Sequence, residues 1–253
     1  MKINWLEKSE LVAAAVQAMH PVEVVMDIGC GIVPQNFIRP SVHICCEPYA
    51  EYVEHLQNKV ANIEIRDRSY VVLNMGWAEA VDYFPEKSVD TVFLVDVIEH
   101  LEKDEGRALL AKTEKIARQQ VVVFTPLGFM PQHHDDGKDA WGLNGADWQE
   151  HKSGWLPEDF GDGWQIFASE VFHTVDSSSR ELEKPFGALW AIKTNSNLGH
   201  NGLLDREATL KNFDAELIKK ETYLMEKEVE LNSLVFAKYE RKVRRVWSRL
   251  FPR

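Results

Sequence analysis

A chain of 253 residues that is 45% hydrophobic has material for one large α/β domain plus an appendage, and its net charge of −11 argues against a nucleic-acid partner. Its three cysteines, Cys30, Cys45 and Cys46, form no even framework and no C-x-x-C pair, so a disulfide scaffold is excluded and reduced core thiols of a cytoplasmic protein are expected. No secretory signal is expected, because the early apolar run carries no cleavage site, and no stretch approaches the ~20 apolar residues of a bilayer span.

Residues 4–19 predict a helix, because Trp5, Leu6, Leu11, Val12, Ala15, Val16 and Met19 fall near a 3.6-residue period, and His20-Pro21 ends it. Val22 to Ile28 is a β-branched apolar run that reads as a buried strand. It leads straight into Asp27-Ile28-Gly29-Cys30-Gly31. Glycines after a strand let the backbone turn sharply and approach a ligand with no Cβ in the way. The dinucleotide fingerprint G-x-G-x-x-G is not met, since no third glycine follows and Asn36 and Phe37 lie further on.

Val42 to Cys46 predicts a second strand ending at Glu47, twenty residues after Asp27. An acid at the carboxyl end of a parallel strand can accept hydrogen bonds from both hydroxyls of a ribose. Ala50 to Val60 reads as a helix, Tyr70 to Asn74 as a third strand followed by Gly76-Trp77-Ala78, and Val89 to Val95 as a fourth. The fourth runs into Asp96-Val97-Ile98-Glu99-His100-Leu101. Glu102 to Ala117 is a predicted helix, and Val121 to Thr125 a fifth strand broken by Pro126. This alternation predicts a doubly wound α/β sheet.

Leu127 to Trp155 has no periodicity, five glycines, and Trp141, Trp148 and Trp155, which suits a lid or binding loop more than a disordered segment. Its aromatic and short polar side chains also suit a sugar ring. His133-His134-Asp135-Asp136 within it is read as a solvated polar loop, and no metal site is expected. Trp164–Val175 and Phe186–Thr194 predict two further strands, with Ser177-Ser178-Ser179 in the turn between them.

Asp27-x-Gly29-x-Gly31 resembles the first motif of the class I S-adenosylmethionine-dependent methyltransferases, although Val33 stands where many members carry a third glycine. Asp96 to Leu101 resembles the end of that family's fourth strand, 69 residues further on and in the right order. The resemblance implies a seven-stranded Rossmann-like sheet, closed by the last two strands as an antiparallel pair. It further implies S-adenosyl-L-methionine as cofactor, held by Asp27, Gly29, Gly31, Glu47, Trp77, Ala78 and Asp96. Trp77 stands near where relatives place an acid beside the adenine, so stacking on the base and core packing are both open to it. If the acceptor is a hydroxyl a base must take its proton, and His100, His151 and Asp96 are the candidates.

The domain is expected to span 1–195, followed by a linker at 196–202. Leu203, Leu210, Leu217, Leu224 and Leu231 recur every seven residues and predict a long helix over 203–237, a coiled coil through which copies self-associate. Residues 238–253 carry seven basic residues against one acid, with Tyr239, Val243, Val246, Trp247 and Leu250 on one stripe. Such a basic amphipathic helix can lie on an anionic membrane surface or dock on an acidic partner. The architecture resembles bacterial surface-polysaccharide methyltransferases of the O-antigen type. From it we expect O-methylation of a sugar on a lipid-linked polysaccharide by a cytoplasmic enzyme, peripheral on the inner face of the membrane. The alternatives are a methyltransferase of a small soluble metabolite and an inactive methyltransferase-like scaffold acting through its coiled coil.

Overall fold

The computed structural model describes residues 2–62, 68–134, 137–176 and 180–195. The predicted linker, long helix, coiled coil and basic amphipathic helix all lie outside the described residues, as do Asp135, Asp136 and the serine turn. All that follows concerns the first of the two units into which the chain divides, residues 1–198.

Eight strands form one mixed sheet: β1 (Lys2–Trp5), β2 (Val24–Ile28), β3 (Val42–Glu47), β4 (Ser69–Asn74), β5 (Val89–Val95), β6 (Ala117–Leu127), β7 (Trp164–Val175) and β8 (Glu181–Thr194). Their spatial order is β1-β7-β8-β6-β5-β2-β3-β4. Strands β2 to β6 run parallel to one another, and β8 is antiparallel to both β6 and β7. The helices are α1 (Lys8–Ala18), α2 (Ala50–Ala61), α3 (Trp77–Tyr83) and α4 (Lys103–Ile116).

Alternating side chains take opposite faces of a sheet, and the sequence uses both. Met26, Ile28, Cys46, Val92, Leu94 and Val123 form one buried face with Ala80 and Val81 of α3 and Leu109 and Leu110 of α4. Cys45 faces the other way, packing with Cys30, Leu56 of α2, Tyr70 and Val72. All three cysteines are buried free thiols.

Two sequence expectations are corrected. The N-terminal helix does not begin at residue 4: residues 2–5 form an eighth strand, and α1 starts at Lys8. The outer edge of β7 offers unpaired backbone groups, and β1 fills it in parallel register from Lys2 opposite Gln165 to Trp5 opposite Ala168. Asn4 Nδ2 adds a bond to the Ile166 carbonyl at 3.0 Å. Trp5, counted toward the apolar stripe, is 52% exposed.

Nor does Pro126 break the fifth predicted strand, because β6 continues to Leu127 with Pro126 opposite Ala188 of β8. The β5 ladder ends at Val95 opposite Phe124, and Asp96 N donates to the Phe124 carbonyl. Pro126 lies two residues on and faces that same, now vacant, side, so its missing N–H forfeits no ladder bond.

Among the described residues no helix is long and apolar enough to cross a membrane.

Candidate active site

The chain runs β2, β3, β4 toward one edge and then returns to place β5 on the other side of β2. This reversal is a topological switch point, where side chains at the carboxyl ends of β2, β3 and β5 diverge around a crevice. Those ends carry Gly29 to Gly31, Glu47 and Asp96.

The turn after β2 is built around backbone only glycine adopts readily. Gly29 has φ +70° and Gly31 φ +55°. Gly29 N donates to the Cys46 carbonyl at 2.8 Å, and a Cβ on Gly29 would meet Val97 Cγ2 at 2.9 Å. Gly31 N donates to Glu47 Oε2 at 2.9 Å, while Tyr49 N donates to Glu47 Oε1 at 3.0 Å. Burial pushes the Glu47 carboxyl up from its usual range, and the two backbone donors pull against that.

Asp27 is buried below the turn rather than open to it. Its Oδ2 accepts from Gln35 N at 2.7 Å and lies 3.3 Å from His43 Nε2. Burial alone would keep His43 neutral, but its hydrogen bonds to Asp27 and Cys45 prevail and push it up to about 9. Asp27 thus fixes the loop from Gly29 to Gln35. Trp77 is half-buried at the start of α3 and packs against the main core cluster, and Ala78 beside it is exposed.

The long segment after β6 folds over this crevice. Asp139 Oδ1 accepts from Trp141 N and Leu143 N, and its Oδ2 from Gly145 N and the Tyr52 hydroxyl of α2. Asn144 Nδ2 donates to Glu51 at 3.1 Å, and Trp148 stacks near Tyr49 with centroids 6.1 Å apart. Strapped down in this way, Trp141 lies on the glycine turn: a Cβ on Gly31 would meet its Cη2 at 2.5 Å. Trp155 belongs elsewhere, fully buried in the core.

Beyond β5, Asp96 has φ +52°, a left-handed conformation few non-glycine residues adopt and one that recurs at functional sites. Its side chain is exposed, yet the surrounding protein desolvates it and pushes it up to about 6. Glu99, one short 3-10 turn later, is 1% exposed. Burial and the Asp96 charge hold its carboxyl well above the usual range.

His100 and His151 meet with ring centroids 4.9 Å apart. Lys152 N and Ser153 N both donate to the Glu99 carbonyl, and Ser153 Oγ and Trp155 Nε1 to that of Ile98, which ties 151–155 to the turn 98–100. His100 Nδ1 donates to the Glu150 carbonyl at 3.1 Å and His151 Nδ1 to the Met130 carbonyl at 2.6 Å. A carbonyl only accepts, so both rings carry their proton on Nδ1 and present a lone pair at Nε2. Burial lowers both histidines, His100 to about 4 with help from the neighbouring His151.

The structure therefore brings Gly29, Gly31 and Glu47 together, and separately Asp96, His100 and His151. Sequence reasoning passed over Glu99, although it stands three residues after Asp96, and also Asp139 and Gln35, whose roles depend on loop closure; it named Trp141 as a binding-loop tryptophan but not its place on the glycine turn. His133 pairs with Glu150 at 3.3 Å.

No protein-family model matches this chain, and no curated protein matches it. Among solved structures it is similar to a magnesium protoporphyrin IX methyltransferase from Synechocystis PCC 6803 with bound SAM: 16% identity, 73% of this chain and 77% of that one, TM-score 0.44. It is also similar to a SAM-dependent methyltransferase from Archaeoglobus fulgidus, at 16% identity over 74% and 92% with a TM-score of 0.45. A cyclopropane synthase from Mycobacterium tuberculosis matches at 21% identity and TM-score 0.36, and this chain spans 42% of its length.

Proposed function

We propose that the protein is an S-adenosylmethionine-dependent methyltransferase acting on an oxygen, most concretely a sugar hydroxyl of a lipid-linked cell-surface polysaccharide. One observation carries the reading: at the switch point, the positive-φ glycine turn after β2 is bonded through Gly31 N to Glu47 at the end of β3. The residues present fit the cofactor. The two glycines give their side-chain space to Val97 and Trp141, so a cofactor would lie along the turn's backbone, where Glu47 retains lone pairs for ribose hydroxyls beyond the two it uses and Trp141 supplies an apolar wall. When bound, S-adenosylmethionine supplies a methyl group on a sulfonium that is its own leaving group.

The chain's own work is then positioning and proton removal. As the new carbon–oxygen bond forms and the carbon–sulfur bond breaks, the acceptor hydroxyl loses its proton. The neutral imidazole of His151, with its Nε2 lone pair, is placed to take it and hand it to solvent, while neighbouring His100, lowered to about 4, is the weaker base. Exposed Trp148 and Trp141 offer flat faces against which a sugar ring can lie. The lipid-linked acceptor and the membrane-facing tail rest on the sequence pattern of 203–253.

Calorimetry with S-adenosylmethionine and S-adenosylhomocysteine tests the cofactor, with Glu47→Ala as the control expected to lose binding. Labelled methyl transfer to fractionated cell material then tests the acceptor. Label in the lipid-linked glycan fraction is expected, and label confined to small soluble compounds would refute the polysaccharide acceptor. Absence of both binding and label would overturn the enzyme reading in favour of a scaffold.

A further inference from the structure

We propose that Glu99, His100 and His151 form a binding site for a first-row divalent cation, with one carboxylate oxygen and the two imidazole Nε2 atoms as its protein ligands.

Three independent features point there. The first is geometry: the three residues bring one donor atom each to within 4.8 Å of one another. Ligands on a common cation at about 2.0–2.2 Å stand roughly 3–4.4 Å apart, so small side-chain rotations close the set. The second is the state of the imidazoles. Each has its Nδ1–H committed to a backbone carbonyl, Glu150 for His100 and Met130 for His151. A metal-bound histidine is held in this way, since the second-shell bond fixes the tautomer and aims Nε2 at the ion.

The third feature is an unpartnered oxygen. Glu99 Oε2 accepts from Thr125 Oγ1 at 3.0 Å, but its Oε1 is buried and meets no hydrogen-bond donor among the described residues. A buried carboxylate oxygen left bare is costly. Two imidazoles with one carboxylate favour Fe2+ or Zn2+, and hold Mn2+ less tightly, over Mg2+ or Ca2+, which prefer an all-oxygen shell.

The sequence expectation of no metal weighed the cysteines and His133 to Asp136. The proposed set instead joins residues 51 positions apart, which only the docking of 151–155 on the turn after β5 brings together. Binding of the cation stands on this geometry alone. Its consequence rests on the methyl-transfer reading: a dication beside the acceptor lowers the pKa of a coordinated hydroxyl and takes over the proton-removing task from the free imidazoles. Two adjacent hydroxyls of a sugar ring could then chelate through the positions the protein leaves open.

The test uses the full chain, dialysed against chelator and titrated with Mn2+ followed by electron paramagnetic resonance, with Zn2+ and Mg2+ by calorimetry in parallel. One Mn2+ per chain is expected, with Zn2+ competing and Mg2+ at least tenfold weaker. Glu99→Gln keeps the side-chain volume and the acceptor for Thr125, and His151→Ala removes one imidazole; each should weaken Mn2+ binding at least tenfold while circular dichroism reports an unchanged fold. No Mn2+ binding, or binding that neither variant weakens, overturns the proposal. S-adenosylmethionine affinity is measured on the same metal-free sample. Cofactor binding without cation binding sinks this site and spares the methyl-transfer reading; the converse does the opposite.

Discussion

Trp155 and Ser153 give a quantitative test of how the two halves of the site are joined. Both donate to the same buried acceptor, the Ile98 carbonyl, at 3.1 Å each. Among the described residues the one other donor to that oxygen is Leu101 N at a long 3.4 Å. Ser153→Ala removes its own bond to that carbonyl and also the acceptor that Trp155 Nε1 reaches at 3.0 Å, and should cost about 1–2 kcal/mol. Trp155→Phe removes the other and also leaves a gap in a fully buried site, against Phe160 and the Lys103 ammonium 3.8 Å above the ring, for about 2–3 kcal/mol together. Either variant leaves the carbonyl one good partner. The double variant leaves the carbonyl only the weak backbone bond, a penalty of about 1 kcal/mol that neither single meets, but it loses the Trp155–Ser153 bond once where the singles count it twice, so the two terms oppose and the cycle should close near additivity. Urea unfolding followed by far-ultraviolet circular dichroism measures all four corners of the cycle. A coupling beyond about 1 kcal/mol of either sign would refute the view that these two side chains share one acceptor while bonded to each other.

Gly31→Ala places a Cβ at left-handed φ and against the Trp141 ring, so cofactor affinity by calorimetry should fall at least tenfold, and adding Trp141→Ala should relieve the clash but not the φ strain. Tyr52→Phe removes the hydroxyl bonded to buried Asp139 and should lower unfolding free energy by about 1–3 kcal/mol, with proteolysis of the 137–148 segment accelerating. Asp90 is held below its usual range: burial opposes its charge, but Arg118 and the Val24 N–H outweigh that. Its contribution is therefore complete above about pH 3.8 and is lost as pH falls through the lower folded-state value, so the stability gap between the native chain and Asp90→Asn should be constant near neutrality and close in acid. The bond to Cys45 and burial push Cys30 up and burial pushes Cys46 up to about 12, whereas the bonds from Cys30 and His43 lower Cys45 to about 7; because all three thiols are buried, a colorimetric thiol reagent at pH 8 should find none in the native protein and three in urea, and any single native thiol that reacts should be Cys45.

The parallel core was legible because its strands are buried on both faces and read as apolar runs ending in punctuation: Ile28 before glycine, Glu47 before Pro48, Val95 before Asp96. Each of those ends is also where a site residue stands. What escaped was everything decided by pairing between distant segments. Residues 2–5 alternate polar and apolar over only four positions, too few to be read as a strand in sequence, and become one because β7 has a free edge. Pro126 reads as a breaker until one sees that β5 has already stopped beside it. Glu99 was visible within its motif, but only the arrival of His151 beside His100 makes its bare oxygen meaningful. Trp141, Trp148 and Trp155 look alike in sequence, yet one caps the glycine turn, one flanks Tyr49 and one is a core wedge.

The pairing of β1 with β7 also has a consequence in time. Residues 2–5 complete the sheet only against residues 165–168, some 160 positions later. At a synthesis rate of about 5–20 residues per second, that separation is on the order of ten to thirty seconds during which the segment has no partner. Its own composition suits the wait: Lys2 and Asn4 alternate with Ile3 and Trp5, too short and too polar a stretch to recruit a neighbouring chain. The strand that seals the outer edge of the sheet is thus made early and installed late, and β1–β7 pairing should be among the last structure to gain hydrogen-exchange protection on refolding.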